Sequence, residues 1–282
     1  MRRRLRALSL AFSTALTLPT ASWAQAAPDP APRTWFQLQG VAATWRMRTA
    51  GNQGYANTVP FDAETDLGLP KHGPLLGLLF GRRIGERWRI EVDYSRGERS
   101  GSTLLAADRD IDSVRYAAGT RLDSTISLAT LRITGGWSAL MTPEAEAGVL
   151  IGGQSVRIGR QLSGQRQSVS VSPPPPGLSP QPPQPIASDT RDYELMPVAG
   201  VYGKVQLAPA WHLAGRLSFS DRGNVNAQVT GQWRLNRHLA LGLGYQHQRQ
   251  NIDSVTCFIV CSSRVLLDTR IQGPMAMVEA AF

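Results

Sequence analysis

The chain has 282 residues, with 30 basic and 21 acidic side chains and a formal net charge of +9. Arg2, Arg3, Arg4 and Arg6 crowd the start, so the remainder carries a net charge of only +5, and no nucleic-acid partner is predicted from charge. Beyond residue 24 no stretch reaches the ~18 apolar residues of a spanning helix, which excludes a helical membrane protein.

Residues 1–24 read as a cleaved signal peptide. "MRRRLR" is a basic n-region, "ALSLAFSTALTL" an apolar h-region, and "PTASWAQA" a small-residue cleavage region. Ser22 and Ala24 suit cleavage before Gln25; Ala24 and Ala26 suit cleavage before Ala27. A short segment, 25–33, follows, and then residues that alternate with period two.

Ten strands are predicted, at 34–46, 74–84, 87–97, 122–141, 145–158, 192–208, 211–221, 224–235, 238–250 and 264–282. The alternation is cleanest in "NVNAQVTGQWRL". There Val225, Ala227, Val229, Trp233 and Leu235 oppose Asn226, Gln228, Thr230, Gln232 and Arg234. The fourth and fifth segments alternate least cleanly, and misreading them as one pair leaves eight strands as the alternative. Short turns near 85–86, 142–144, 208–210 and 236–237 alternate with longer loops at 47–72, 98–121, 159–191 and 251–263. One connection on the long side is tight, "DRGN" at 221–224, where Gly223 can take positive φ. Short turns on one side and long loops on the other predict an all-β antiparallel transmembrane β-barrel in the bacterial outer membrane, with both termini periplasmic. A soluble β-sandwich would show shorter strands. It would also tend to centre its tryptophans, whereas Trp35, Trp88, Trp137, Trp211 and Trp233 lie near strand ends, as an interfacial girdle places them.

Parity along these strands turns Arg89, Glu91, Asp93, Arg132, Glu146, Glu194, Lys204, Arg216, Arg234 and Glu279 into the lumen. Five cations and five anions in a narrow barrel predict ion pairing and a mostly plugged interior. A narrow channel for small solutes, lined by the same groups, is the alternative. Cys257 and Cys261 are predicted to form a local disulfide, because an exported chain meets an oxidising compartment. Asp62, Glu64 and Asp66 in the first long loop stand at every second position and could face one cation, without the spacing or glycine of an EF-hand. The proline-rich segment near 168–189 reads as an exposed loop open to a surface partner.

An enzyme at the rim, such as a protease of the omptin kind or a lipid-modifying enzyme, is a distant alternative. Of the histidines, His212 and His238 fall beside short turns, His247 faces outward, and His72 lies near no matching acid motif. No cofactor or metal is predicted, and no catalytic residue is assigned.

Several stretches resemble a loose family of Gram-negative outer-membrane barrel proteins known largely from sequence. They are "FDAETDLGLP" (61–70), "AGTRLDSTISLATLRITGGW" (118–137), "PVAGVYGKVQLAPAWHLAGRLSF" (197–219), "LNRHLALGLGYQ" (235–246) and the closing "MVEAAF". Val278, Ala280 and Phe282 share one face of the last strand and resemble the C-terminal assembly signature of such barrels, with Ala280 where an aromatic is common. The resemblance implies a barrel, outer-membrane lipid and lipopolysaccharide as surroundings, and the barrel assembly machinery as a partner. It implies no activity.

Overall fold

The computed structural model describes residues 33–52, 61–111, 114–166, 184–258 and 260–282. Ten long strands close into one antiparallel barrel. They are β1 (Thr34–Asn52), β2 (His72–Ile84), β3 (Trp88–Leu104), β4 (Arg121–Met141) and β5 (Ala145–Arg166), followed by β6 (Gln184–Ala208), β7 (Trp211–Ser220), β8 (Asn224–Arg234), β9 (Leu239–Phe258) and β10 (Val260–Ala281). Each strand pairs with its chain neighbour. β10 pairs back onto β1, from Trp35 opposite Ala281 to Asn52 opposite Arg264. Closure leaves no strand edge, so backbone donors and acceptors are satisfied within the sheet. The eight-strand alternative falls, because β4 and β5 run antiparallel from Asp123 opposite Ser163 to Met141 opposite Glu146.

At the seam the Phe282 amide donates to the Thr34 carbonyl at 2.8 Å and the Thr34 amide donates back at 3.0 Å. Both of these residues therefore sit at one rim, called here the terminal rim. The connections between β2 and β3, β4 and β5, β6 and β7, and β8 and β9 lie at that rim and are short. The others lie at the opposite, far rim. The tight far-rim turn Asp221–Gly223 puts Arg222 at φ 60 and Gly223 at φ 74.

The alternation has two phases. In the half nearer the terminal rim, apolar side chains face out: Phe36 and Leu38, Leu76 and Leu78, Ile90, Leu131 and Ile133, Val149 and Ile151, Val229, Leu241 and Leu243. Trp88, Trp137, Trp211 and Trp233 ring the outer wall there, as an interfacial girdle requires. Trp35 does not join them. It lies on the inward parity of β1, opposite Gly81, whose missing side chain makes room for the indole ring.

Toward the far rim the phase reverses. Trp45 and Met47, Leu122 and Ile126, Ile158 and Leu162, Ile252, and Leu267 and Ile271 point inward and are buried, while Arg46, Arg48, Arg96 and Arg270 point outward. A strand with polar residues outside and apolar residues inside is what a barrel standing in water requires. The sequence boundaries 34–46, 87–97, 145–158, 192–208 and 238–250 are therefore short of the strands, which run to 52, 104 and 166, start at 184, and run to 258. Residues 184–189, expected within the proline-rich loop, belong to β6. The rest of that loop, the signal segment and the side chains of Cys257 and Cys261 lie outside the described residues.

The first two long connections contribute to the reversed-phase core. A single helical turn, Ala63–Asp66, and the following Leu67 and Leu69 pack with Trp45, Leu75 and Met47. Leu105, Ile111 and Tyr116 of the second connection join the same cluster. Shutting Leu67 and Leu69 away from water stabilises this arrangement by about 1.5–3 kcal/mol each.

Candidate functional site

The lumen is where the sequence puts ten ionisable groups together, and the structure resolves partners for most of them. Along β4 the inward positions run Ser138, Thr134, Arg132, Thr130, then Leu128 and Ile126, so a charged tier gives way to an apolar one. Arg132 lies in register between Asp93 on β3 and Gln154 on β5. Its guanidinium is 3.3 Å from the Asp93 carboxylate and donates to the Gln154 carbonyl at 2.8 and 3.1 Å. Arg216 crosses from β7 to Glu91 and lies 3.9 Å from Asp93. Arg89 shares Glu91 at 3.2 Å and covers the Tyr202 ring, 3.2 Å from its centroid.

Glu146 closes the tier. It takes Arg83 at 2.7 Å and Arg89 at 3.9 Å, and Ser138 donates to it at 2.6 Å. Arg83 and Arg89 stand opposite one another on β2 and β3, a like-charge pair that would repel without the carboxylate between them. Four guanidiniums thus surround three carboxylates in one connected network. Outlying members are Lys204, 3.8 Å from Glu279, and Glu279 itself, which accepts from Gln37 at 2.5 Å. Glu194 belongs elsewhere, with Arg222 at the far rim. Arg234 points into the terminal mouth without an ion pair among the described residues.

Of the ten charges expected in the lumen, Arg89, Glu91, Asp93, Arg132, Glu146 and Arg216 form the connected tier. Parity alone missed Arg83, which shares the inward face of β2 with Leu75 and Leu79 and stands immediately before a turn. Arg99 and Arg160 were missed because they lie on strand that reads as loop, and Asp192 because it opens the predicted sixth strand beside that loop. Arg160 meets Asp192 at 3.1 Å. Glutamines lie between the charged and apolar tiers: Gln228 donates to Gln39 at 3.2 Å and Gln250 to Thr130 at 3.1 Å. The cavity lined by Arg132, Gln154, Gln248 and Gln250 holds about 10 Å³, at most the space of one water.

The three acids of the first loop do not converge on a common point. Asp62 caps the helical turn, accepting from the Glu64 and Thr65 amides at 3.1 and 3.3 Å. Glu64 turns inward to Arg99 and accepts from the Met47 amide at 3.1 Å. Asp66 accepts from the Asp62 amide at 2.9 Å and lies 3.5 Å from Arg109. The histidines are equally dispersed. His72 lies 3.3 Å from the Thr44 hydroxyl on the outer wall, and His247 lies 3.2 Å from Gln272. His238 sits 2.9 Å from the Ala281 carbonyl at the terminal rim, and His212 is buried in the lumen.

No protein-family model matches the chain, and no curated protein matches it in sequence. Among solved structures, the chain is similar to the outer membrane protease OmpT from Escherichia coli, at a TM-score of 0.57 and 10% identity, covering 90% of this chain and 97% of that one. It also matches the translocator domain of the autotransporter NalP from Neisseria meningitidis, at a TM-score of 0.44 and 10% identity, over 90% of this chain and 89% of that one. A third match is OprG from Pseudomonas aeruginosa, at a TM-score of 0.39 and 9% identity, over 89% and 97%. At such identities the likeness to OmpT carries the fold and not the activity. The fold is that of a Gram-negative outer-membrane β-barrel with ten strands.

Proposed function

We propose that this is a sealed outer-membrane barrel with a structural or surface-interaction role, and not a conduit or an enzyme. Both chain ends face the periplasm in this reading, and the far-rim connections face outward. Outer-membrane lipid and lipopolysaccharide surround it, and Val278, Ala280 and Phe282 present the outward face read by the barrel assembly machinery.

The observation that carries the reading is the brace across the lumen, in which Arg216 spans from β7 to the carboxylates of β3. A solute would have to part ion pairs whose members expose no more than 18% of their side chains. Losing one partner of such a pair costs about 3–5 kcal/mol. Above the brace, the inserted loop residues fill the far half. The runner-up, a narrow channel, would need the charged tier to stand open along its axis. A rim enzyme would need an imidazole within reach of a carboxylate, and His72 and His247 hold Thr44 and Gln272 instead.

The test is conductance of the purified full-length protein in a planar bilayer. The sealed reading expects a trace no different from the bare membrane. Regular ohmic steps would overturn it in favour of the channel.

A further inference from the structure

The outer wall of β1, β9 and β10 carries a charge arrangement that the barrel itself does not need. Three rows run across these strands just beyond the apolar band. Nearest the band, His72, Thr44, Gln272 and His247 stand in register across β2, β1, β10 and β9. In the next row Arg46 of β1 is opposite Arg270 of β10, which is opposite Arg249 of β9. In the third row Arg48 is opposite Asp268. Side chains directly opposite on an antiparallel sheet have Cβ atoms ~4.5–5.5 Å apart, and like charges there repel.

Among the described residues the local anions do not balance the cations. Asp268 lies 3.4 Å from Arg249 and 3.5 Å from Arg270, and Asp62 lies 3.3 Å from Arg48. Arg46 has no carboxylate partner among the described residues. Among the described residues four outward guanidiniums thus share two carboxylates, around a crevice lined by Arg46, Arg48, Asp268 and Arg270. Elsewhere on the far half of the wall Arg96 pairs with Glu98 at 3.2 Å, and Arg157, which has no carboxylate partner among the described residues, lies alone 5.2 Å from the centroid of the Tyr193 ring.

We propose that this patch binds the phosphate of a lipid headgroup in the leaflet at the far rim. Its height, one polar row past the apolar wall, is where headgroup phosphates lie when the apolar band meets acyl chains. Guanidinium forks fit phosphate oxygens two at a time, which a compact ammonium cannot do. A bound phosphate also relieves the repulsion between Arg46 and Arg270. The proposal rests on the outer-membrane reading above.

The experiment uses the full chain, refolded in detergent, and native mass spectrometry with bisphosphorylated lipid A or with the same lipid stripped of its phosphates. The wild type should retain the phosphorylated form about tenfold better. R46Q/R270Q should lose that preference, and the control R96Q/R157Q, which removes the same charge, should keep it. Equal retention of the two lipids by the wild type overturns the proposal, as does a preference that survives R46Q/R270Q. Inorganic phosphate binding the wild type as tightly as the lipid does would overturn the headgroup assignment. Heat-modifiable migration on gels is followed for every variant. Its loss in the wild type would count against the barrel reading, whereas a folded barrel without phosphate preference counts against this patch alone.

Discussion

The Arg99 guanidinium lies 2.7 Å from the Glu64 carboxylate, with side-chain exposures of only 1% and 4%. Arg99 projects inward from β3 and Glu64 comes from the helical turn of the first loop, so this pair pins the loop inside the barrel mouth. Arg99 also donates to the Pro70 carbonyl at 2.9 Å and faces the Trp45 ring at 5.0 Å from its centroid. Glu64→Gln should leave the arginine charge buried without its anion and cost about 3–5 kcal/mol. Replacing both partners by apolar residues of similar size should recover most of that loss. Denaturant unfolding in detergent micelles gives the comparison, and Glu64→Gln at wild-type stability would show that the pair does not hold the loop.

Gly68, between the buried Leu67 and Leu69, has φ +67, and a Cβ there would sit 2.6 Å from the Ser102 carbonyl oxygen. The "DLGLP" motif thus needs glycine twice over, for the left-handed backbone and for the close approach to β3. Gly68→Ala should cost at least ~1–2 kcal/mol from the backbone term alone. The same unfolding assay reads it, together with faster proteolysis within 61–71. An alanine variant as stable and protease-resistant as the wild type would refute the inserted geometry.

Period-two alternation made the ten-strand barrel legible in the sequence, because a wall between lipid and a polar lumen imposes one phase. It faltered where that phase inverts. Between Leu128 and Leu131 on β4, and between Ile151 and Val156 on β5, the apolar face changes sides, and a pattern with a phase slip reads as a poor strand. The far halves then resembled loops, and Arg99 and Arg160 disappeared with them. Parity named ten candidate lumen charges, but not which of them meet. Arg132 finds Asp93 through strand register, whereas Arg216 finds Glu91 across the lumen, through barrel curvature that no local pattern encodes. The acids of the first loop misled for a related reason: alternate spacing places side chains on one face only while the chain is extended, and from Ala63 the loop is helical.

Cys257 and Cys261 stand opposite one another at the end of the β9–β10 hairpin. In the exported protein they are expected to be joined, since periplasmic oxidation favours it. The enclosed loop is short, so the entropic gain is small and reduction should leave the unfolding midpoint almost unmoved. Thiol labelling of unreduced cells reads the state directly. Full labelling of both cysteines would contradict the bond.

Which side of the wall meets lipid is decided on β8. Val229 lies midway along β8, points outward and is 47% exposed, whereas the adjacent Gln228 turns into the lumen and donates to Gln39. Val229→Arg places a charge in the bilayer and should cost about 2–4 kcal/mol, while Gln228→Arg adds a charge to a polar interior. The deciding measurement is the folded fraction of each variant after refolding into lipid vesicles, read by heat-modifiable migration on gels. A sharp loss is expected for Val229→Arg and a smaller one for Gln228→Arg. Equal folding of the two, or a greater loss for Gln228→Arg, would contradict it.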